Sequence, residues 1–247
     1  MAATQAGAET SAGQATTSAC SADAAALRPK SLRKRVWLVT RIIRLALMIA
    51  ARVQIFVRVE KIGSRYVPKH GPVILAGNHP SPMDPILLFG GLRRNVCFLA
   101  AEFLFHQPVL GRLLRWMGHI RVERGTDKAL EAAAFGAHVL AHDGVVVIFP
   151  SGRITKQGER YQPKTGVARM AFATGSPIVP FHLTGTERIF AGGRLRLMRR
   201  VRIVFGEPIA VTQMENPTRA DLVTLTSRVV NASDRLSGLP IGPDERD

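Results

Sequence analysis

The run Gly77-Asn78-His79-Pro80-Ser81-Pro82-Met83-Asp84-Pro85 holds an imidazole and a carboxylate five positions apart. Neutral imidazole takes up a proton near pH 7. A carboxylate bonded to its other ring nitrogen would fix the tautomer and stabilise the imidazolium as it forms. A spacing of five does not stack two side chains on one helix face. Pro80, Pro82 and Pro85 instead argue for a bent loop entering a helix, which can bring the two together. The plainer reading makes Asp84 an N-cap with Pro85 at the first helical position, and His79 a loop histidine. For Asp84 the two roles are compatible, because a capping residue is held rigidly. Arg124 and Arg153 each carry a guanidinium fork that matches phosphate oxygens. On residue chemistry alone each reads as a surface arginine in a basic chain. Lys156 and Lys164 are weaker candidates. Gly152 would let the backbone approach a ligand closely.

These residues need a scaffold, and short apolar runs alternating with helical stretches supply one. Strands are predicted over Phe56–Ile62, Val73–Ala76, Asn95–Ala100, Ile120–Glu123, Val145–Phe149, Ile178–Leu183 and Val201–Phe205. Helices are predicted over Asp127–His142 behind a Thr126 cap, Lys164–Thr174 ending at Gly175, and Pro217–Leu236. The alternation implies a single α/β domain with a central mixed sheet flanked by helices. His79 would then sit where a strand end runs into a loop, a common place for reactive groups in such proteins.

Ahead of this domain, residues 1–30 are rich in Ala, Ser, Thr and Gly, without apolar period, and read as a flexible tail. Residues 31–55 are expected to form an amphipathic helix. At ~100° per residue, Lys34, Arg41, Arg44 and Arg52 fall within an arc of roughly 80°, opposite Val39, Ile43, Ala46 and Ala50. Such a helix can lie in the headgroup plane with its arginines snorkelling. The charges within it disfavour a membrane-spanning helix. The α/β domain would then occupy residues 56–238, and 239–247 a flexible C-terminal tail.

Composition narrows the partners. Of 247 residues, 34 are Lys or Arg and 18 Asp or Glu, giving a formal charge of +16. That excess favours an anionic partner. A nucleic-acid binder would explain it, but aromatics are 6% and no stacking motif is present. The two cysteines show neither a disulfide framework nor metal-ligand spacing, which suits a reducing, cytosol-facing location. No P-loop or G-x-G-x-x-G supports ATP or NAD use, and no G-x-S-x-G elbow supports Ser81 as nucleophile. No metal or cofactor is expected.

Asn78–Pro85 resembles the first motif of the glycerolipid acyltransferase family, which includes the 1-acyl-glycerol-3-phosphate acyltransferases. Gly118-His119-Ile120-Arg121-Val122-Glu123-Arg124 resembles the second block, Phe149-Pro150-Ser151-Gly152-Arg153-Ile154-Thr155 the third, and Ile178-Val179-Pro180-Phe181 the fourth. Lys164–Ala171 is similar to the helix between the last two. Four blocks in order, across about Val57 to Pro208, are jointly far more specific than any one. The resemblance implies acyl transfer from acyl-CoA or acyl-carrier protein to the free hydroxyl of 1-acyl-sn-glycerol-3-phosphate, or of another lysophospholipid or glycolipid. His79 would be the base and Asp84 its partner, with the acceptor phosphate held by Arg124 and the turn Ser151, Gly152 and Arg153. Membrane lipids would be the other partners, at the cytoplasmic face of a bacterial cell membrane. Ser151 stands where the family usually has Glu, which makes the pocket more cationic and could shift acceptor choice or weaken activity; equally, it could be a tolerated change at a loop turn. A member of the same fold that has lost catalysis is the other possibility, and the presence of His79 and Asp84 speaks against it.

Overall fold

The computed structural model describes residues 57–108, 110–116, 119–122, 126–156, 159–191, 194–195 and 199–238. The expected tails and the amphipathic helix over 31–55 lie outside the described residues. Among the described residues, no helix is long and apolar enough to cross a membrane.

In chain order the strands are β1 (Val57–Ile62), β2 (Val73–Gly77), β3 (Val96–Ala101), β4 (Ile120–Val122), β5 (Val145–Ile148), β6 (Ile178–Thr184), β7 (Phe190–Ala191), β8 (Arg194–Leu195) and β9 (Arg199–Phe205). The helices are α1 (Asp84–Gly91), α2 (Glu102–Phe105), α3 (Leu110–Trp116), α4 (Thr126–Ala141), α5 (Gly166–Thr174) and α6 (Arg219–Arg235). A sheet of 7 strands runs in the order β1-β9-β6-β2-β5-β3-β4. The β6–β9 pairing is antiparallel and the other five are parallel, so the sheet is mixed. β7 and β8 form a separate small hairpin on the way from β6 to β9.

The central strands are unbroken apolar runs because both their faces are covered. Every residue of β2 and β5 is buried. Val73 and Leu75 of β2, with Val145 and Val147 of β5 and Phe181 of β6, join Leu87, Leu88 and Phe89 of α1 on one face. Ile74 and Ala76, with Val146, Ile148 and Ile178, meet apolar residues of α4, α5 and α6 on the other. The period-2 alternation of a strand thus divides one sequence run between two cores.

Most predicted elements occur with ends moved by a residue or two. The helix expected from Lys164 begins at Gly166, and the one expected from Pro217 begins at Arg219, behind a capping box of Thr218 and Asp221. Phe56 and Glu123, expected at strand ends, lie outside the described residues. The short helices α2 and α3 and the β7–β8 hairpin were not expected. Four to seven residues are too few for an apolar period to show.

Candidate functional site: an imidazole–carboxylate pair at a strand end

β2 ends at Gly77, and the chain turns through Asn78–Met83 into α1. Gly77 is set by close approach: a Cβ there would lie 2.2 Å from the Phe181 carbonyl oxygen and 2.6 Å from the Phe181 ring. The following turn closes with the Asp84 N–H donating to the Ser81 carbonyl at 3.2 Å. It delivers Asp84 as the first residue of α1, with Met83 as N-cap and Pro85 behind it. The plain N-cap reading of Asp84 is therefore corrected. Its carboxylate makes no cap bond, because it is engaged with the loop.

That engagement is specific. Asp84 Oδ2 accepts from the Ser81 N–H at 2.8 Å and pairs with His79 Nδ1 at 2.7 Å. A carboxylate offers acceptors, so the shared proton belongs to Nδ1 and leaves a lone pair on Nε2. Asp84 is wholly buried, and the helix N-terminus favours its negative charge. Asp84 Oδ1 is buried and has no hydrogen-bond partner among the described residues. The His79 side chain is 16% exposed, and its Nε2 has no partner among the described residues. One face of the ring is covered by Phe149, stacked at 4.0 Å between centroids with 14° between planes. Phe149 in turn meets Phe181 edge-on. The His79 carbonyl accepts from the Thr155 N–H at 2.9 Å. The imidazole is thus fixed by its nitrogen, its face and its backbone.

The turn after β5 is therefore next to His79. Gly152 has φ +63°, a conformation that favours glycine, and a Cβ there would meet the Lys164 side chain at 2.8 Å. Ser151 is buried and donates from its hydroxyl to the Arg153 carbonyl, so the hydroxyl is used inside the turn. Arg153 is exposed and its guanidinium pairs with Glu159, whose carboxylate also accepts the Lys156 N–H. The Arg153 bond holds the Glu159 carboxyl below its usual range. The structure thus brings His79, Asp84 and the Phe149–Thr155 turn together, with Arg153 already partnered. Arg124, also expected at the site, lies outside the described residues.

His119 of the second block is a core histidine. Its Nδ1 accepts the Phe98 N–H at 3.3 Å, and burial pushes its pKa down to about 4. Sequence reasoning assigned no role to Phe149, Thr155 or Asn78. The Asn78 amide accepts from the Leu183 N–H at 2.7 Å and donates to the Leu183 carbonyl at 2.8 Å. An Asn one position past a strand end is a visible signal of side-chain-to-backbone bonding. Its partner, more than 100 positions away, is not.

Fold and site together define an α/β protein of mixed sheet that presents a hydrogen-bonded imidazole–carboxylate pair at the end of a central strand. The chain belongs to the acyltransferase family, whose sequence model matches residues 58–184, just over half of the chain. It is 31% identical over 135 residues to a 1-acyl-sn-glycerol-3-phosphate acyltransferase of Borreliella burgdorferi, covering 54% of each chain. It is 27% identical over 137 residues to the protein of that name in Limnanthes douglasii, covering 55% of this chain and 48% of the other. It spans about half the length of the curated relatives it matches. Among solved structures, the 1-acyl-sn-glycerophosphate acyltransferase PlsC of Thermotoga maritima shares the fold. The TM-score is 0.63 at 21% identity, over 92% of this chain and 91% of that one.

Proposed function

We propose that this protein moves a fatty acyl group from acyl-CoA or acyl-carrier protein to the free hydroxyl of 1-acyl-sn-glycerol-3-phosphate, giving phosphatidic acid. One observation carries the reading: a wholly buried Asp84 bonds Nδ1 of His79, and Nε2 is left without a partner among the described residues. Nε2 takes the proton of the acceptor hydroxyl as its oxygen attacks the thioester carbonyl. The C–S bond breaks, and the proton passes from the imidazolium to the departing thiolate. The thioester is already activated, so no acyl-enzyme is required. Asp84 holds the tautomer and balances the imidazolium. Arg124 and the Ser151–Arg153 turn bind the acceptor phosphate. No metal or cofactor takes part, and the work is done at the cytoplasmic face of a membrane.

The names of the curated relatives support this acceptor. One observation favours another lysophospholipid or a glycolipid: Arg153 is already neutralised by Glu159, and Ser151 brings no carboxylate. Assay of the purified protein with acyl-CoA against a panel of lysophospholipids separates the two. In the same assay His79→Ala is expected to lower turnover by ~10²–10⁴-fold, the usual worth of a general base. Wild-type turnover in a folded His79→Ala protein would remove the assignment.

A further inference from the structure

Where β2 ends, a side chain continues the work of its backbone. β2 and β6 run parallel with Gly77 opposite Phe181, and one position later the chain leaves the sheet to carry His79. A departing strand leaves N–H and C=O groups on its neighbour to be satisfied. The Asn78 amide covers both for Leu183, and this two-point bond fixes which end of the amide is oxygen and which nitrogen. The second hydrogen of Nδ2 faces His182 Nε2 at 3.4 Å. An amide nitrogen only donates, so this contact requires a lone pair on Nε2 and the ring proton on Nδ1. His182 is 6% exposed, and its Nδ1 is buried beside the Ser233 backbone of α6.

We propose that Asn78 and His182 are a positioning pair: neutral His182 keeps the Asn78 amide clamped on β6, and the clamp fixes the loop that presents His79. Its catalytic consequence rests on the reading of His79 as the base. Burial holds the pKa of His182 below the ordinary imidazole value, outweighing Asp234 and the Ser233 backbone of α6 and Glu187 beyond β6, which favour the charged ring. Further acidification protonates Nε2, setting two donors against each other. The clamp opens, and misplacing a reacting group by ~1 Å can cost ~10²-fold in rate.

The test follows kcat and KM of the full chain over roughly pH 5 to 8 for wild type, His79→Ala, His182→Leu, His182→Gln and Asn78→Asp. Amide exchange at Leu183 is read without substrate. His182→Leu and Asn78→Asp are expected to lower kcat by ~10–100-fold with both KM values near wild type, and His182→Leu to lower Leu183 protection at least tenfold; Asn78→Asp keeps an acceptor for the Leu183 N–H and loses only the donor to its carbonyl. His182→Gln offers an acceptor but takes no proton. It is expected to recover most of what His182→Leu loses and to remove the His182 protonation from the acid limb of log kcat. Wild-type kcat and Leu183 protection in folded His182→Leu would overturn the proposal. If that variant does not fold, an unchanged acid limb in His182→Gln overturns it. Failure of the base assignment shows separately, as full activity of His79→Ala, and the Leu183 protection still decides the clamp.

Discussion

At the scale of single residues, the site depends on which nitrogen of His79 carries the proton. Asp84 decides this by accepting at Nδ1 while the Ser81 N–H holds the same carboxylate oxygen. Asp84→Asn would preserve shape and remove the charge. An amide oxygen in the place of Oδ2 keeps both the Ser81 N–H and the Nδ1 proton, but no carboxylate then balances the imidazolium as it forms; turned the other way, the amide nitrogen sets a donor against the Ser81 N–H. Asp84→Asn is expected to lower kcat by ~10²–10⁴-fold. Its melting temperature should fall much less than that of Asp84→Ala, which leaves two buried donors unpaired at ~1–3 kcal/mol each. Turnover close to wild type in Asp84→Asn would show that the Asp84 charge does not support the base.

Elements divide into those that aim the site and those that hold the sheet. β2 and β6 aim it, and their separation at Gly77 leaves no space for a methyl group against backbone oxygen. Gly77→Ala must push the strands apart or tilt the His79 loop. It is expected to destabilise by ~1–3 kcal/mol and to depress kcat as well. α6 holds the sheet, through packing on β6 and β2 and a bond from Ser233 Oγ to the Phe181 carbonyl at 2.6 Å. Its capping box is exposed at the far end of the sequence from the His79 loop. Thr218→Ala is expected to cost ~1 kcal/mol by urea denaturation with kcat unchanged. A kcat loss there as large as in Gly77→Ala would mean that stability, and not aim, sets the rate.

For the whole molecule, charge and the helix expected over residues 31–55 carry the proposal that the domain works at a membrane surface. A formal charge of +16 favours an anionic surface, and the apolar face expected for residues 31–55 adds a term that salt does not screen. Binding to anionic vesicles is therefore expected to be only partly reversed by salt, at ~1 kcal/mol per charge near the surface. Deleting residues 1–26 should change little. Deleting through Val53 should release the protein from vesicles and depress activity on vesicle-borne acceptor more than on a detergent-soluble one. Flotation and full vesicle activity of the longer deletion would place the membrane contact elsewhere.

The sequence by itself determined the identity of the pair and most of the scaffold. His79 and Asp84 were legible because proline punctuation and residue chemistry act over a few positions. β2 and β5 were legible because burial on both faces demands unbroken apolar runs. α5 and α6 were legible from local period and stop signals, such as the left-handed Gly175. Tertiary structure alone decided the rest. That β1 pairs with β9, that Phe149 lies on the His79 ring, and that Asn78 finds Leu183 and His182 are contacts between distant parts of the chain. Likewise Ser151 and Arg153, expected to hold the acceptor phosphate, are engaged within their own turn and by Glu159. Local patterning states what each segment must bury. Which segment buries it is chosen by the packing of the whole sheet, and that choice sets the geometry on which proton transfer depends.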